Sequence, residues 1–254
     1  MRIFGIDPSL TSTGICVVDC EFEEANREML SEILLKEEND FPPTVMNSFF
    51  EIVHLSEIKP PKEYDKELKK IRKEIRNGEN TFENLLAVNS LLYSRMNCQA
   101  DFISHLLNQH EPEIVVMEDY SFHSSGRLTQ MAEMKGYLYS SLSNSQYLKS
   151  LLVLPITTIK KVASTKGNAN KTVIYEGIQR FPIDIELNPK NDDEIDALAI
   201  CLTMYYGIFN QLFSLDYPKS SLRKEKNYYN KWKTSFKNLN THIGTGWYEY
   251  LFAR

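Results

Sequence analysis

Acidic side chains stand at the ends of three predicted elements that lie far apart in this sequence. Asp7 closes a short apolar run and precedes Pro8, and a residue before proline is held extended, so a strand is predicted to end there. Glu118 follows a continuous apolar run of the kind found in buried central strands. Asp193 and Asp196 lie one turn apart in the first turn of a predicted helix. If folding brings them together, these carboxylates form one strongly negative site.

A cluster of carboxylates without counter-charge is unfavourable in free energy. The cost is reduced either by protonation of one carboxylate or by binding of a cation, and these two outcomes support different chemistry. Mutual repulsion and burial either raise the pKa of one member or favour the capture of a cation. A hard dication such as Mg²⁺ prefers oxygen ligands and keeps positions for water and phosphate oxygens. Two such ions together can promote phosphodiester hydrolysis. The acids near residue 193 also have an ordinary explanation, because acidic residues are favoured at helix N-termini.

The elements that must position these acids follow from the hydrophobic pattern. The predicted order is a β-hairpin and a strand, then helix, strand, helix, strand and helix, which is typical of a mixed α/β sheet covered by helices. In such a sheet the first and fourth strands can be neighbours, and ligands gather beyond the carboxyl ends of the strands. Strands are predicted over residues 3–6, 13–18, 49–58, 114–117 and 151–156, and helices over 62–76, 80–110 (one helix or two), 128–142, 172–180 and from about 193 onward.

Four segments together resemble the RuvC Holliday-junction resolvases. FGIDPSLTSTG (residues 4–14), VME (116–118) and DEIDALAI (193–200) are similar, in this order, to the three acidic motifs of that family. Between the last two, GNANK (167–171) resembles the family's loop into a helix that carries an active-site lysine. One such motif is a weak signal, whereas the ordered set is specific. The resemblance covers about residues 1–19 and 113–206.

The resemblance implies an RNase H-like fold, an α/β architecture with a mixed five-stranded sheet flanked by helices. It also implies a homodimer whose two sites cut opposed strands of branched DNA, a four-way junction, so that protein and DNA share a two-fold axis. By the same resemblance Asp7, Glu118, Asp193 and Asp196 are the metal ligands and catalytic carboxylates. They would hold two Mg²⁺ ions, with Mn²⁺ able to substitute. Lys171 would be the catalytic lysine that steadies the scissile phosphate or the developing charge.

The resemblance also suggests residues that contact DNA. Residue counting places Lys160, with Lys161 beside it, near the family's other functional lysine, and Lys166 and Lys171 lie in the same basic stretch. The family inserts an aromatic wedge into the junction soon after the second motif. Tyr120 and Phe122 flank that position, and the sequence does not choose between them.

Three further positions are left open by the sequence. Ser9 stands where bacterial relatives usually carry glycine, so the sequence leaves open the geometry of the turn after Asp7. Asp192 could replace Asp193 as a ligand if the helix begins one residue earlier. His123 lies five residues beyond Glu118, where a general base is conceivable, although a loop histidine is more often simply exposed.

Composition favours one elaborated domain. The chain has 254 residues, a net charge of −5 and 42% hydrophobic residues, enough for a substantial core. We predict a nuclease domain over residues 1–214, with an insert at about 21–80, and an extension over 215–254. The segment 219–237 carries seven basic residues and one acidic residue, interleaved with aromatic residues, a pattern suited to a DNA backbone or to a solvated tail.

The sequence also bears on the location of the protein and on other protein classes. No signal peptide or membrane span is predicted, so a cytoplasmic protein without a membrane partner is expected, in the host cytoplasm if the source is viral. The four cysteines form no Cys-x-x-Cys pair, which argues against a zinc site.

An actin-like or sugar-kinase-type ATPase opens with a similar hairpin, but it needs a second domain and a glycine-rich loop. A non-catalytic junction-binding protein would bind the same DNA without cutting it, and a nuclease for flaps or forks would keep the chemistry and change the substrate.

Overall fold

The computed structural model describes residues 1–22, 50–119, 128–143, 151–164, 166–179 and 191–213, together with Thr234. These segments contain the first hairpin, all three acidic motifs and the lysine-rich helix. Tyr120, Phe122 and His123 lie outside the described residues, as does the basic extension apart from Thr234. The predicted boundary near residue 214 therefore stays a prediction.

The centre of the fold is a five-stranded mixed sheet with the order β3-β2-β1-β4-β5. The first three strands along the chain form an antiparallel meander, and β1, β4 and β5 run parallel to one another. The predicted mixed five-stranded sheet and the pairing of the first and fourth strands are confirmed. The strands are β1 (Arg2–Asp7), β2 (Thr13–Cys20), β3 (Phe50–Ile58), β4 (Ile114–Glu118) and β5 (Leu151–Leu154).

Helices cover both faces of the sheet, because the strands alternate buried side chains between two apolar clusters. The helices of the described segments are α1 (Lys62–Arg76), α2 (Phe82–His110), α3 (Leu128–Ser143), α4 (Ile156–Ser164), α5 (Lys171–Ile178) and α6 (Asp192–Phe213). One cluster joins the sheet to α4, α5 and α6, and the other joins it to α2 and α3. Helix α1 packs on α2.

Two sequence predictions are refined by these bounds. The predicted helical region 80–110 contains a single helix, Phe82–His110, which begins after Thr81, whose side chain accepts a hydrogen bond from the Asn84 amide at 3.1 Å. The predicted strand 151–156 is too long. The strand ends at Leu154, because Pro155 cannot continue the ladder, and α4 begins at Ile156.

The predicted insert is only partly an insert. Its residues 50–58 form the edge strand β3, paired with the whole length of β2, so this part belongs to the core sheet. Its residues 62–76 form a helix that packs outside the two sheet-covering layers. In the described part of the chain, no helix combines the length and apolar character needed to cross a bilayer.

Candidate active site

Asp7 and Glu118 lie side by side at the carboxyl ends of neighbouring parallel strands. Ile6 of β1 pairs with Met117 of β4, so the next residues are the two acids, on strands about 4.8 Å apart. Asp7 exposes only 9% of its surface. Burial, followed by the charge of Glu118, raises the pKa of Asp7 well above its usual range. Two acids distant in sequence therefore share one negative environment, as the sequence predicted.

Helix α6 brings the other two acids to the same place. The charges of Asp196 and Asp193 both raise the pKa of Asp7. Burial and the charge of Asp196 raise the pKa of Glu118 to about 8. Burial raises the pKa of Asp196 itself, and that of Asp193. All four predicted carboxylates thus lie within electrostatic reach of one another at one edge of the sheet.

Two glycines allow α6 to approach the sheet this closely. A Cβ atom on Gly14, which faces Asp7 across the hairpin, would lie 2.0 Å from the carbonyl oxygen of Asp193. A Cβ atom on Gly5 would lie 2.6 Å from the Cys201 sulfur. Larger residues at either position would push the helix away, so these glycines set the distance between the strand acids and the helix acids.

The first turn of α6 is fixed by polar contacts that orient Asp193. The Asn191 side chain accepts a hydrogen bond from the Glu194 amide at 3.0 Å and donates one to Glu57 at 3.0 Å. Ser12 donates a hydrogen bond to the Asp193 carboxylate. Asp192 is exposed, whereas Asp193 is half-buried and faces the hairpin. The geometry therefore favours Asp193 over Asp192 as the acid that belongs to the site.

Glu57 is a fifth carboxylate at this edge that the sequence did not indicate. It lies one residue before the end of β3 and forms an ion pair with Lys59 at 2.5 Å. Burial opposes ionisation, but the hydrogen bond and the charge of Lys59 outweigh it and, with polar interactions with Ser12 and Asp193, lower the pKa of Glu57. The available signal was its place next to the end of the edge strand, where β3 pairs with Gly14.

Lys171 supplies positive charge to the cluster. It is the first residue of α5, and its ammonium group pairs with the Asp196 carboxylate. Burial alone would lower the pKa of Lys171, but the hydrogen bond to Asp196 and the charges of Asp196 and Asp7 raise it. Its charge also lowers the pKa values of Asp7 and Glu118 below what burial alone would give. Lys171 thus lies at the carboxylates, and its catalytic role stays a prediction.

Among the other lysines predicted to contact DNA, Lys160 lies near the carboxylates, whereas among the residues that the structure describes no contact with them is seen for Lys161 or Lys166. Lys160, on α4, lowers the pKa of both Glu118 and Asp196 and so lies within electrostatic reach of the site. Lys161 lies with its alkyl chain beside Gly167, and Lys166 is exposed in the loop that follows α4. The contact of Lys161 and Lys166 with DNA stays a prediction.

Lys135 is a buried cation that sequence reasoning did not single out. It lies on α3, exposes 4% of its surface and donates a hydrogen bond to Asp119 at 2.6 Å. Its charge lowers the pKa of Glu118. The available signal was a single lysine within a helical stretch that has few charged residues, a position where burial requires a partner. Cations thus approach the end of β4 from helices on both faces of the sheet.

The turn after Asp7 is held without a glycine at position 9. The Ser9 hydroxyl accepts a hydrogen bond from the Thr11 amide at 3.4 Å, and the Ser9 carbonyl accepts one from Gln99 at 3.3 Å. The Leu10 carbonyl accepts a hydrogen bond from Arg95 at 2.6 Å. Side chains of α2 therefore support this turn, and serine is compatible with it.

The donor set fits a hard dication in its chemistry. Its members are carboxylates whose pKa values are raised by burial and by one another, the condition under which a cation is captured. Within the described residues, however, no three His, Cys, Asp or Glu side chains converge into a ligand cluster. The side chains adopt a different arrangement, in which Asp196 is engaged by Lys171 and Asp193 by Ser12.

Comparison with known proteins agrees with the resemblance. The chain is 30% identical over 104 residues to the crossover junction endodeoxyribonuclease RuvC of Prochlorococcus marinus (strain MIT 9211), a match that covers 41% of this chain and 64% of that protein. It is 28% identical over 113 residues to the RuvC protein of Dictyoglomus turgidum, covering 44% of this chain and 70% of that one. Several relatives are thus matched over less than two thirds of their length.

The solved structure of RuvC from Thermus thermophilus aligns with 85% of this chain and 98% of its own, with a TM-score of 0.49 and 16% identity. No family model matches the sequence. The similarity in sequence to RuvC endodeoxyribonucleases rests on the relatives from Prochlorococcus marinus and Dictyoglomus turgidum.

Proposed function

We propose that this protein is a divalent-metal-dependent endodeoxyribonuclease that resolves four-way DNA junctions or related branched DNA, in recombination and repair. The observation that carries the proposal is that Asp7, Glu118, Asp193 and Asp196 lie at one edge of the sheet, within electrostatic reach of one another. Similarity to the crossover junction endodeoxyribonucleases supports branched DNA as the substrate class.

The four carboxylates would hold Mg²⁺, as two ions per site, with Mn²⁺ able to substitute. When bound, such ions activate a water molecule and stabilise the leaving oxygen of a phosphodiester. The chain's own contribution is a largely buried frame of strand ends and the first turn of α6, which keeps the backbone positions of the four acids at one edge of the sheet before the substrate arrives. That frame explains why acids from three distant segments are needed.

Lysines of the site would meet the scissile phosphate. Lys171 pairs with Asp196 in the present arrangement, and DNA would offer its ammonium group a second anionic partner at the same place. Lys160 acts on Glu118 and Asp196 from α4 and would approach the phosphate from that side. These two cations would hold the backbone in register with the carboxylates and offset the charge that develops during cleavage.

A homodimer is the proposed assembly. The described residues of one chain form one carboxylate site, whereas resolution of a four-way junction requires two opposed cuts. Two copies related by a two-fold axis would match the symmetry of the junction. The expected result in solution is a particle of twice the chain mass, measured by sedimentation equilibrium with and without junction DNA.

The direct test is incubation of the purified protein with labelled four-way junction, fork and linear duplex, in Mg²⁺ and in EDTA. Symmetrical nicks in the junction with Mg²⁺, and none with EDTA, are expected. Preferred cleavage of forks would keep the nuclease and change the substrate. Junction binding without cleavage in either Mg²⁺ or Mn²⁺ would favour a non-catalytic junction-binding protein, and ATP turnover without cleavage would favour the ATPase class.

A further inference from the structure

Helix α1 carries a continuous stripe of basic side chains on its outer face. Its members recur at intervals of three or four residues, so they project from one side of the helix. All of them are exposed. Within the described residues the stripe enters one ion pair, between Lys70 and Glu74, at a distance of 4.0 Å between charged atoms. The basic stripe consists of Lys62, Lys66, Lys69, Lys70, Lys73 and Arg76.

The rest of the helix is arranged so that this stripe faces outward. Tyr64, Leu68, Ile71 and Ile75 form an apolar stripe on the opposite side, and Leu68 and Ile71 are buried where α1 packs on α2. Three acidic residues fall together on one flank by helical spacing. Charges scattered only for solubility would alternate in sign around the surface, whereas here one sign is concentrated along one line. The acidic flank consists of Glu63, Glu67 and Glu74.

The helix begins at the edge of the sheet that holds the carboxylates. Ile58, the last residue of β3, pairs with Thr13, whose neighbour Gly14 pairs with Asp7. Four residues later α1 starts. The buried Arg95 of α2 links the two regions, because its guanidinium group binds Asp65 of α1 at 2.9 Å and the Leu10 carbonyl of the active-site turn at 2.6 Å.

From this point the two helices extend away from the sheet as a hairpin. Helix α2 runs antiparallel to α1 after the short connection 77–81, and Tyr64 near the start of α1 lines one cleft together with Ser94 and Phe102 of α2. No residue of α2 before Arg95 is buried, whereas eight from Arg95 to His110 are buried. The N-terminal half of α2 and most of α1 therefore project beyond the sheet edge, and the basic stripe runs outward from the site.

We propose that the basic stripe of α1 binds the phosphate backbone of one duplex arm where it leaves the active site. This inference rests on the proposed function for its substrate. At about 1.5 Å per residue the stripe is about 21 Å long. At about 3.4 Å per base pair it spans about six base pairs. Lysine and arginine side chains in one line are suited to phosphate contacts that position DNA without reading its sequence.

The same features argue against a membrane surface as the partner. Helices that lie on membranes insert an apolar face beneath their basic face. In α1 the apolar stripe already packs on α2, with Leu68 and Ile71 buried there, so the outer face of α1 itself offers charge alone. A polyanion that needs only phosphate contacts fits that surface.

The test compares the full chain with a variant that removes four charges, Lys66→Gln, Lys69→Gln, Lys70→Gln and Lys73→Gln. Junction and linear duplex binding are measured in EDTA at several salt concentrations. If two to four contacts are lost, the slope of log K against log salt becomes shallower by about two to four units. Binding in moderate salt is expected to weaken by roughly tenfold or more. In hydroxyl-radical footprints the variant should lose protection over about six base pairs of an arm next to the cleavage site.

Matched controls separate charge from structure. Arginine at the same four positions keeps the charge and should keep affinity, slope and footprint near those of the unmodified protein. Glu63→Gln with Glu67→Gln, on the acidic flank, should leave DNA binding equal or slightly tighter. Unchanged circular dichroism and melting temperature would show that the glutamine variant is folded.

Several outcomes would overturn the proposal. These are a glutamine variant with unchanged affinity and salt slope, an arginine variant that loses binding as the glutamine variant does, or lost binding to phosphatidylserine vesicles with DNA binding intact. Failure of the proposed function would appear differently, as an unmodified protein that does not cut branched DNA in Mg²⁺. In that case, lost duplex binding by the glutamine variant would still support a DNA-binding stripe.

Discussion

The four acids of the site differ in the interactions that act on their carboxylate charges. For Asp7 and Glu118 burial is the largest cause of the raised pKa, and neighbouring carboxylates add to it. Asp196 has the additional partner Lys171, and Asp193 has Ser12. The strand acids are thus the members whose charge is least compensated by hydrogen bonds, so they are the strongest candidates for direct contact with a dication.

We predict that Asp7→Asn, which preserves shape and removes the charge, leaves junction binding in EDTA nearly unchanged and lowers cleavage in Mg²⁺ by at least ~100-fold. Even residues that only support metal ligands commonly cost about 10–100-fold. Single-turnover cleavage and equilibrium binding, measured side by side, test this. Asp192→Asn is the matched control, because Asp192 is an exposed acid next to Asp193 that the geometry leaves outside the site, and it should cut at nearly the normal rate. Full cleavage by Asp7→Asn would remove this residue from the site.

At the scale of elements, the site depends on how closely α6 approaches the β1–β2 hairpin. The contact needs glycine at position 14, since the backbone of Asp193 occupies the place of a side chain. It also needs the Asn191 and Glu57 contacts that fix the start of the helix. A helix displaced by about an ångström would separate its two acids from the strand acids, and such displacements are costly for catalysis.

We predict that Gly14→Ala destabilises the protein by about 1–3 kcal/mol, the usual cost of overpacking, and strongly reduces cleavage. The reason is that a Cβ atom 2.0 Å from the Asp193 carbonyl oxygen cannot be accommodated without moving α6. Urea unfolding and cleavage rates measure the two effects. Gly136→Ala on α3 is the control, because nothing lies within 4 Å of its added Cβ atom. It should be neutral or stabilise by up to about 1 kcal/mol. A Gly14→Ala variant with normal stability and activity would contradict the close approach.

At the scale of the whole molecule, two histidines connect the edge strand β3 to the end of α2. The rings of His54 on β3 and His110 at the end of α2 have centroids 5.2 Å apart. Burial, with the nearby charge of Arg2, lowers the pKa of His110. Burial and His110 lower the pKa of His54. Protonation at this contact is therefore unfavourable in the folded state.

We predict a loss of stability in mild acid from this pair. The unfolded histidines bind protons near pH ~6.5, while the folded ones do so only at lower pH, so the free energy of unfolding falls as pH drops below about 6.5. The raised pKa values of the site acids act in the opposite direction, since the folded state binds their protons first. The contribution of the histidines is therefore the difference in the stability lost on acidification between the unmodified protein and the His110→Gln variant.

That difference is measured from melting temperatures between about pH 7.5 and about pH 5.5, a range that spans the ordinary titration of histidine. The His110→Gln variant should lose less stability on acidification than the unmodified protein. His105→Gln, at an exposed position of the same helix, is the control and should follow the unmodified curve. Parallel curves for all three proteins would exclude the histidine pair as a source of acid sensitivity.

The basic segment 219–237 is expected to add to DNA affinity for the molecule as a whole. Removing residues 219–254 should weaken junction binding and make its salt dependence shallower by about 0.9 units per lost phosphate contact. A full-length variant with glutamine at the seven basic positions separates charge from chain length, and it should reproduce most of the loss. An unchanged salt slope in both would assign this segment another role. The positions are Lys219, Arg223, Lys224, Lys226, Lys231, Lys233 and Lys237.

The sequence by itself determined the elements and the identity of the acids. Alternating and helical apolar patterns, Pro8 after Asp7 and the apolar run before Glu118 are local features, and local features are what periodicity records. The predicted order of strands and helices was enough to indicate a mixed sheet in which the first and fourth strands can be neighbours. The helix after Pro155 was missed because a short apolar run is ambiguous between strand and helix.

Only the tertiary structure decided which side chains meet. It favoured Asp193 over Asp192, added Glu57 and Lys135 to the site, and placed the basic stripe of α1 beside it. Most of these contacts join residues separated by tens to more than a hundred positions in the chain, and no local pattern encodes them. They depend on the register of neighbouring strands and on the close packing of α6 at Gly14, which exist only after the chain has folded.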